Sequence, residues 1–184
     1  MADRYIELLP GVGTPDATGS GNLPADVRME VMSATQATDT PKLTQEVADF
    51  DASQDETVTF QFRMPDDYTS GGELRFLFKN MTVQTGGVAR KVRFKAGQKS
   101  RGAGDVQDPA QGTNVAFENN DGVSVTLDVN QALYTIKGGT LGLTMTGAAA
   151  GKQLVGFFGR NQDHTDDDAA GDARLIALTF VYTA

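Results

Sequence analysis

The only run of this chain with the residue types of a ligand or proton-transfer site is Asp163-His164-Thr165-Asp166-Asp167-Asp168, with Asp172 beyond it. Clustered carboxylates are the hard oxygen donors that Ca²⁺ takes. The spacing departs from an Asp-x-Asp-x-Asp-Gly calcium loop, and acidic segments between strands are ordinary, so no metal ligand set is expected in Asp163–Asp168. His164 is the one histidine in 184 residues. A single imidazole excludes multi-histidine zinc sites, and a catalytic triad would need a nucleophile that no Gly-x-Ser-x-Gly elbow supplies. Cysteine is absent, which removes thiolate ligands, Cys nucleophiles and disulfides together. No pair of carboxylates stands out for glycoside hydrolysis. Gly11-Val12-Gly13-Thr14-Pro15 and Gly102-Ala103-Gly104 lack the helix and lysine of a phosphate loop. The residues therefore predict a chain that is not an enzyme, with no catalytic group, metal or cofactor.

A second cluster carries charge instead of catalysis. Arg90, Lys91, Arg93 and Lys95, followed by Lys99 and Arg101, gather positive charge in a chain of formal net charge −8. Such a stretch can dock on an acidic partner surface, or it can protect an exposed strand edge against pairing. Nucleic acid is not an expected partner, because the overall charge repels phosphate and only Phe94 is interleaved with the cations. No apolar run reaches the length of a membrane span or a signal peptide, so synthesis in the cytoplasm without a membrane partner is expected.

The elements that would hold these residues are strands. Val58, Phe60, Phe62 and Met64 alternate with Thr57, Thr59, Gln61 and Arg63, the period of a half-buried strand. Pro65 to Gly72 is dense in turn formers. Glu73–Lys79 and Ala89–Lys95 alternate again, residues 96–112 read as a long polar loop, and 114–117 as a short strand. Asn120-Asp121-Gly122 signals a turn ahead of Val123, Val125, Leu127 and Val129. Residues 141–145 and 154–158 are further strands, and 174–182 is apolar on both faces, as in a central or interface strand. Thr44–Ala48 and Val129–Tyr134 are the best helix candidates, both short. The pattern predicts an all-β fold, an antiparallel jelly-roll-like β-sandwich over residues 56–184. Residues 1–55 read as an extended N-terminal arm with one or two strands, one of them at 27–32. The arm is free to wrap its own domain or to place Tyr5, Ile6, Leu8 and Leu9 in a neighbouring chain.

From residue 56 onward the chain resembles bacteriophage virion proteins with a jelly-roll, TNF-like sandwich. The resemblance lies in Val58 to Tyr68 with its Met64-Pro65-Asp66-Asp67-Tyr68 turn, in Gly71-Gly72 and the strand after it, and in Gly147 to Asn161 ending in Arg160. It continues through the aspartates from Asp163 and the closing Gly171 to Tyr182. It implies a head decoration or cement protein on the outer capsid surface, a homotrimer whose partner is the major capsid protein. Under that reading Tyr5, Ile6, Leu8, Leu9, Arg90, Lys91, Arg93 and Lys95 are the candidate interaction residues. The alternative is a phage tail, fibre or carbohydrate-binding module, which needs an exposed aromatic platform from four Tyr and no Trp.

Overall fold

The computed structural model describes residues 2–8, 11–12, 23–31, 44–103 and 118–184, and among these every regular element is a strand. In chain order they are β1 (Asp3–Glu7), β2 (Gly11–Val12), β3 (Leu23–Pro24), β4 (Asp26–Val31), β5 (Thr44–Phe50) and β6 (Glu56–Arg63). There follow β7 (Ser70–Asn80), β8 (Arg90–Arg101), β9 (Glu118–Leu127), β10 (Ile136–Gly142), β11 (Gln153–Arg160) and β12 (Ala173–Thr183).

Two six-stranded sheets face each other. The first runs β10-β7-β12-β5-β4, with β1 also on β12, and the second runs β2-β6-β11-β8-β9, with β3 also on β6. All pairings are antiparallel except the short β3–β6 contact. Strands β5 to β12 alone give β10-β7-β12-β5 over β6-β11-β8-β9, the strand order of a jelly roll. The expected all-β, antiparallel, jelly-roll-like sandwich is therefore the fold.

Alternation builds the core. In β7, Leu74, Phe76, Phe78 and Asn80 are buried while Arg75 and Leu77 face outward. The ring of Phe94 lies 4.7 Å from Phe76, 4.9 Å from Phe78 and 5.3 Å from Phe158, and meets Phe50 edge-on at 6.3 Å. Strand β12 is central in its sheet, flanked by β7 on one side and by β5 and then β1 on the other. Its Leu175, Leu178 and Phe180 join the core between the sheets, and Val181 on the other face is buried as well.

The structure departs from the sequence reading in five places. Thr44–Ala48 is no helix but part of β5, because it pairs with β4 on one side and β12 on the other. Val129–Tyr134 forms turns, with Asn130 and Tyr134 at positive φ. Asn120-Asp121-Gly122 is not a turn between strands: it sits inside β9, where the register to β8 shifts between Phe94 and Ala96. Gly122 has φ +82, and a Cβ there would meet the Phe94 carbonyl, so this bulge needs glycine. Residues 96–101 continue β8 instead of opening a loop, with Ala96, Gln98 and Ser100 buried against the β11 pairing. The expected strand at 114–117 lies outside the described residues. Where the sequence suggested one or two strands before residue 56, the described residues there form five, two of them only two residues long and carrying no periodicity to read.

Replacing Phe94 by Ala removes the ring around which four others pack. Urea unfolding should report a loss of about 3–5 kcal/mol, against about 0.5 kcal/mol or less for the exposed Gln61→Ala.

Candidate functional site

The acidic run and the cationic strand prove to be partners. Arg160, at the end of β11, faces inward with Leu154 and Phe158, and its side chain is fully buried. Its Nε and Nη2 donate to Asp167 at 2.9 and 2.6 Å, and Nη1 and Nη2 donate to the Gly171 and Ala169 carbonyls at 2.8 and 3.0 Å. Asp167, 1% exposed, also accepts the Arg93 amide at 2.9 Å. A guanidinium is tolerated in a core only when paired and saturated in this way. The clasp draws the 161–172 loop over the start of β8. There Asp168 accepts the Lys91 amide at 2.6 Å and Arg90 at 3.3 Å, and Asp166 lies 3.5 Å from the Lys91 ammonium. Lys95 pairs with Asp55, which also accepts the Gln162 amide. Nδ1 of His164 accepts the Asp166 amide at 3.0 Å, a turn contact.

The N-terminal candidates separate by alternation. Ile6 packs on the core and Leu8 is buried in it, with the Leu8 amide donating to the Leu178 carbonyl. Tyr5, of the opposite parity, stands 59% exposed on the outer face of the first sheet. Leu9 lies outside the described residues.

Around Tyr5 the sheet builds a polar cleft that the sequence did not announce. Register sets Tyr5 beside Val181, Val181 beside Glu73, and Glu73 beside Gly142. Arg75 on β7 donates to Glu73 at 2.6 Å, reaches Asp3 and the Tyr5 hydroxyl at 3.5 Å, and holds its guanidinium carbon 5.6 Å from the Tyr5 ring centroid. The Glu73 hydrogen bond holds the Arg75 guanidinium above its ordinary pKa. The cleft is about 240 Å³, walled by Asp3, Glu73 and Arg75 and floored by Gly71, Gly72, Gly142 and Val181. Gly71 and Gly142 bring the floor down to backbone level on this face, so a flat ligand can approach the sheet there, while the missing side chain of Gly72 faces Met145 and Phe180. The readable signals were the outward parity of Glu73 and Arg75 and the Gly71-Gly72 pair. Asp3 and Gly142 come from distant parts of the chain.

Farther along the same face, Arg174 grips Asp49 through Nε and Nη2 at 2.5 and 2.8 Å and donates Nη1 to Glu30. Lys79 bonds Glu30 at 2.7 Å, Arg28 bonds Asp49 at 2.6 Å, and Lys79 sits 5.4 Å from the exposed Tyr134 ring. Burial pushes Glu30 up, but hydrogen bonds from Lys79, Gln45 and Arg174 outweigh it and hold the carboxyl below its ordinary range. Among the described residues, no three metal-ligating side chains come together as a metal site.

The sequence matches no protein-family model and no curated protein. Among solved structures, the chain is similar to the CBM27-1 module of Caldicellulosiruptor saccharolyticus in complex with mannohexaose, at 11% identity and TM-score 0.43, covering 97% of this chain and 96% of that one. It is similar to the CBM22-1 xylan-binding domain of Paenibacillus barcinonensis Xyn10C at 12% identity and TM-score 0.42, covering 100% and 99%. The enzymatically active domain of bacteriophage CBA120 tailspike protein 4 aligns at 11% identity and TM-score 0.37, over 97% of this chain and 19% of that one. At these identities and scores the likeness is that of the β-sandwich itself.

Two outcomes follow from the electrostatics. Asp167→Ala leaves a buried, unpaired guanidinium and should cost about 3–5 kcal/mol in urea unfolding. Asp168 is held low by the Lys91 amide and Arg90, Asp51 by Ser53, and Glu30 by the contacts above, whereas burial raises Glu56. The three lowered carboxyls add stability that is present above their unfolded pKa, about 4, and is lost as pH falls through their folded values. Glu56 acts in the opposite sense, its penalty vanishing on protonation. With three groups against one, the urea midpoint should fall from pH 5 to pH 3, and Asp168→Asn should flatten that slope.

Proposed function

We propose that the chain is a non-catalytic β-sandwich recognition module that binds carbohydrate on the outer face of its first sheet, at Tyr5 and the cleft beside it. One observation carries the reading: a well-exposed tyrosine ring packs against Arg75, which with Asp3 and Glu73 lines a neighbouring cleft that has glycines in its floor. A sugar ring has an apolar face that stacks on an aromatic and a rim of hydroxyls that donate to carboxylates and accept from a guanidinium. Asp3 and Glu73 offer acceptor lone pairs beyond those Arg75 uses. Two carboxylates against one guanidinium favour a neutral, hydroxyl-rich ligand over an anionic one.

A second reading keeps the chain as a phage head decoration protein on the major capsid protein. What favours it is that the residues carrying the virion-protein resemblance act as structural closures. Arg160 and the acidic loop form the buried clasp, and the Tyr182 hydroxyl donates to Asp67 at 2.9 Å, joining the closing strand to the Met-Pro-Asp-Asp-Tyr turn. Ile6 and Leu8 do not serve as anchors in this reading, since both are committed to the domain's own core.

Glycan-array screening followed by calorimetry on the best neutral oligosaccharide separates the two. Tyr5→Ala should weaken binding about tenfold or more, ~1.4 kcal/mol, with Tyr5→Phe retaining most of it and Lys91→Ala, on the other sheet, unchanged. An empty array combined with co-sedimentation on capsids would favour the decoration role instead.

A further inference from the structure

The free edges of the two sheets are not alike. Strand β4 ends the first sheet with Asp26, Arg28 and Glu30, charges that oppose edge-to-edge pairing. Strand β9 ends the second with the bulge at Gly122, and β2 and β3 are two residues long. Strand β10 is neither two residues long nor bulged, and it carries a single charge. Its seven residues pair with β7 in one unbroken register from Ile136↔Lys79 to Gly142↔Glu73. It contains no proline, and its one charge, Lys137, is answered by Asp128 at 2.7 Å. Among the described residues no backbone hydrogen bond joins its other side to a strand, although β9 of the second sheet packs close beside it.

The strand is also complementary to itself. An antiparallel copy centred on Gly139 sets Ile136 opposite Gly142, Lys137 opposite Leu141 and Gly138 opposite Thr140. Directly opposed residues share a face. Ile136 is 57% exposed, and the space above Gly142 is open, with no atom within 4 Å of where a Cβ would stand. Each Ile136 therefore finds a vacant place over the other copy's Gly142, and the symmetry makes two such contacts. Leu77, 45% exposed on the neighbouring strand and leaning over Gly138, extends the apolar strip.

We propose that β10 is a homodimerisation edge, pairing with β10 of a second copy about Gly139 in a closed two-fold arrangement that joins the two first sheets into one. Ile136 of the second copy then stands over Gly142 and becomes part of the floor of the cleft beside Tyr5. The dimer does not require that cleft to bind anything.

The chain has no cysteine, so cross-linking reads the register directly. In sedimentation equilibrium the full chain should be a dimer, and Ile136→Lys with Thr140→Lys should give a monomer with an unchanged circular dichroism spectrum and a urea midpoint that no longer rises with protein concentration. Mixing separately prepared Ile136→Cys and Gly142→Cys chains under mild oxidation should yield the mixed covalent dimer, while each alone yields little, because opposed residues come within disulfide reach. A wild-type monomer, a trimer, a dimer indifferent to the two lysines, or cross-linking without preference for the mixed pair would each overturn the proposal. A monomer would leave the edge for a strand of some other protein.

Discussion

A guanidinium with no access to water organises one end of this sandwich. Arg160 enters at an inward-facing position of β11, where the alternation calls for an apolar side chain, and everything near it is arranged to satisfy it. The loop after it must fold back so that Asp167 and two carbonyls reach its donors. Once Asp167 is fixed, its neighbours Asp166 and Asp168 fall against Lys91 and Arg90, and the start of β8 is tied down. A second set of buried polar groups lies nearby. Asn80, Gln84 and Gln131 exchange hydrogen bonds with one another and with the carbonyls of Thr82, Ala132 and Ala170. Together they stitch the β7–β8, β9–β10 and β11–β12 connections into one lid, with polar groups acting as specifying contacts.

Much of the fold was legible because half-buried strands write their period into the sequence. Val58 to Arg63, Leu74 to Lys79 and Val123 to Leu127 are strands with one wet and one dry face, and they read as such. Strand β5 was not legible: Thr44-Gln45-Glu46-Val47-Ala48 mixes helix formers with little β character, and only pairing on both sides decides its state. Asn120-Asp121-Gly122 misled for a related reason. A bulge and a tight turn both ask for a residue at positive φ, so the local signal is the same and only the partner strand distinguishes them.

The site was harder to see than the fold. Glu73 and Arg75 read as the solvent face of a strand, which they are, but the cleft exists only because Asp3, from the start of the chain, and Gly142, from β10, come to the same face. The acidic run drew attention as the one cluster with ligand chemistry, yet its central carboxylate is spoken for by Arg160. The clue was parity: Leu154, Phe158 and Arg160 share a face, and a charge in that series demands a buried counter-charge close by. The basic residues Arg90, Lys91 and Lys95 carried the matching message, since a cationic strand end in an acidic chain finds its partners within the same molecule.

The central place of β12 has a consequence for the time the molecule takes to form. Three strands, β1, β5 and β7, hydrogen-bond to it, and it is the last of the twelve in chain order. On a ribosome, the first sheet therefore has no middle until β12 has followed the other described strands, and β1 waits longest because its partner among the described strands is the most distant one. Topologies of this kind fold slowly, since large loops must close before any contact rewards them. Until β12 arrives, the apolar faces of β5 and β7 are exposed in the nascent chain, and that interval is when the protein is most open to aggregation.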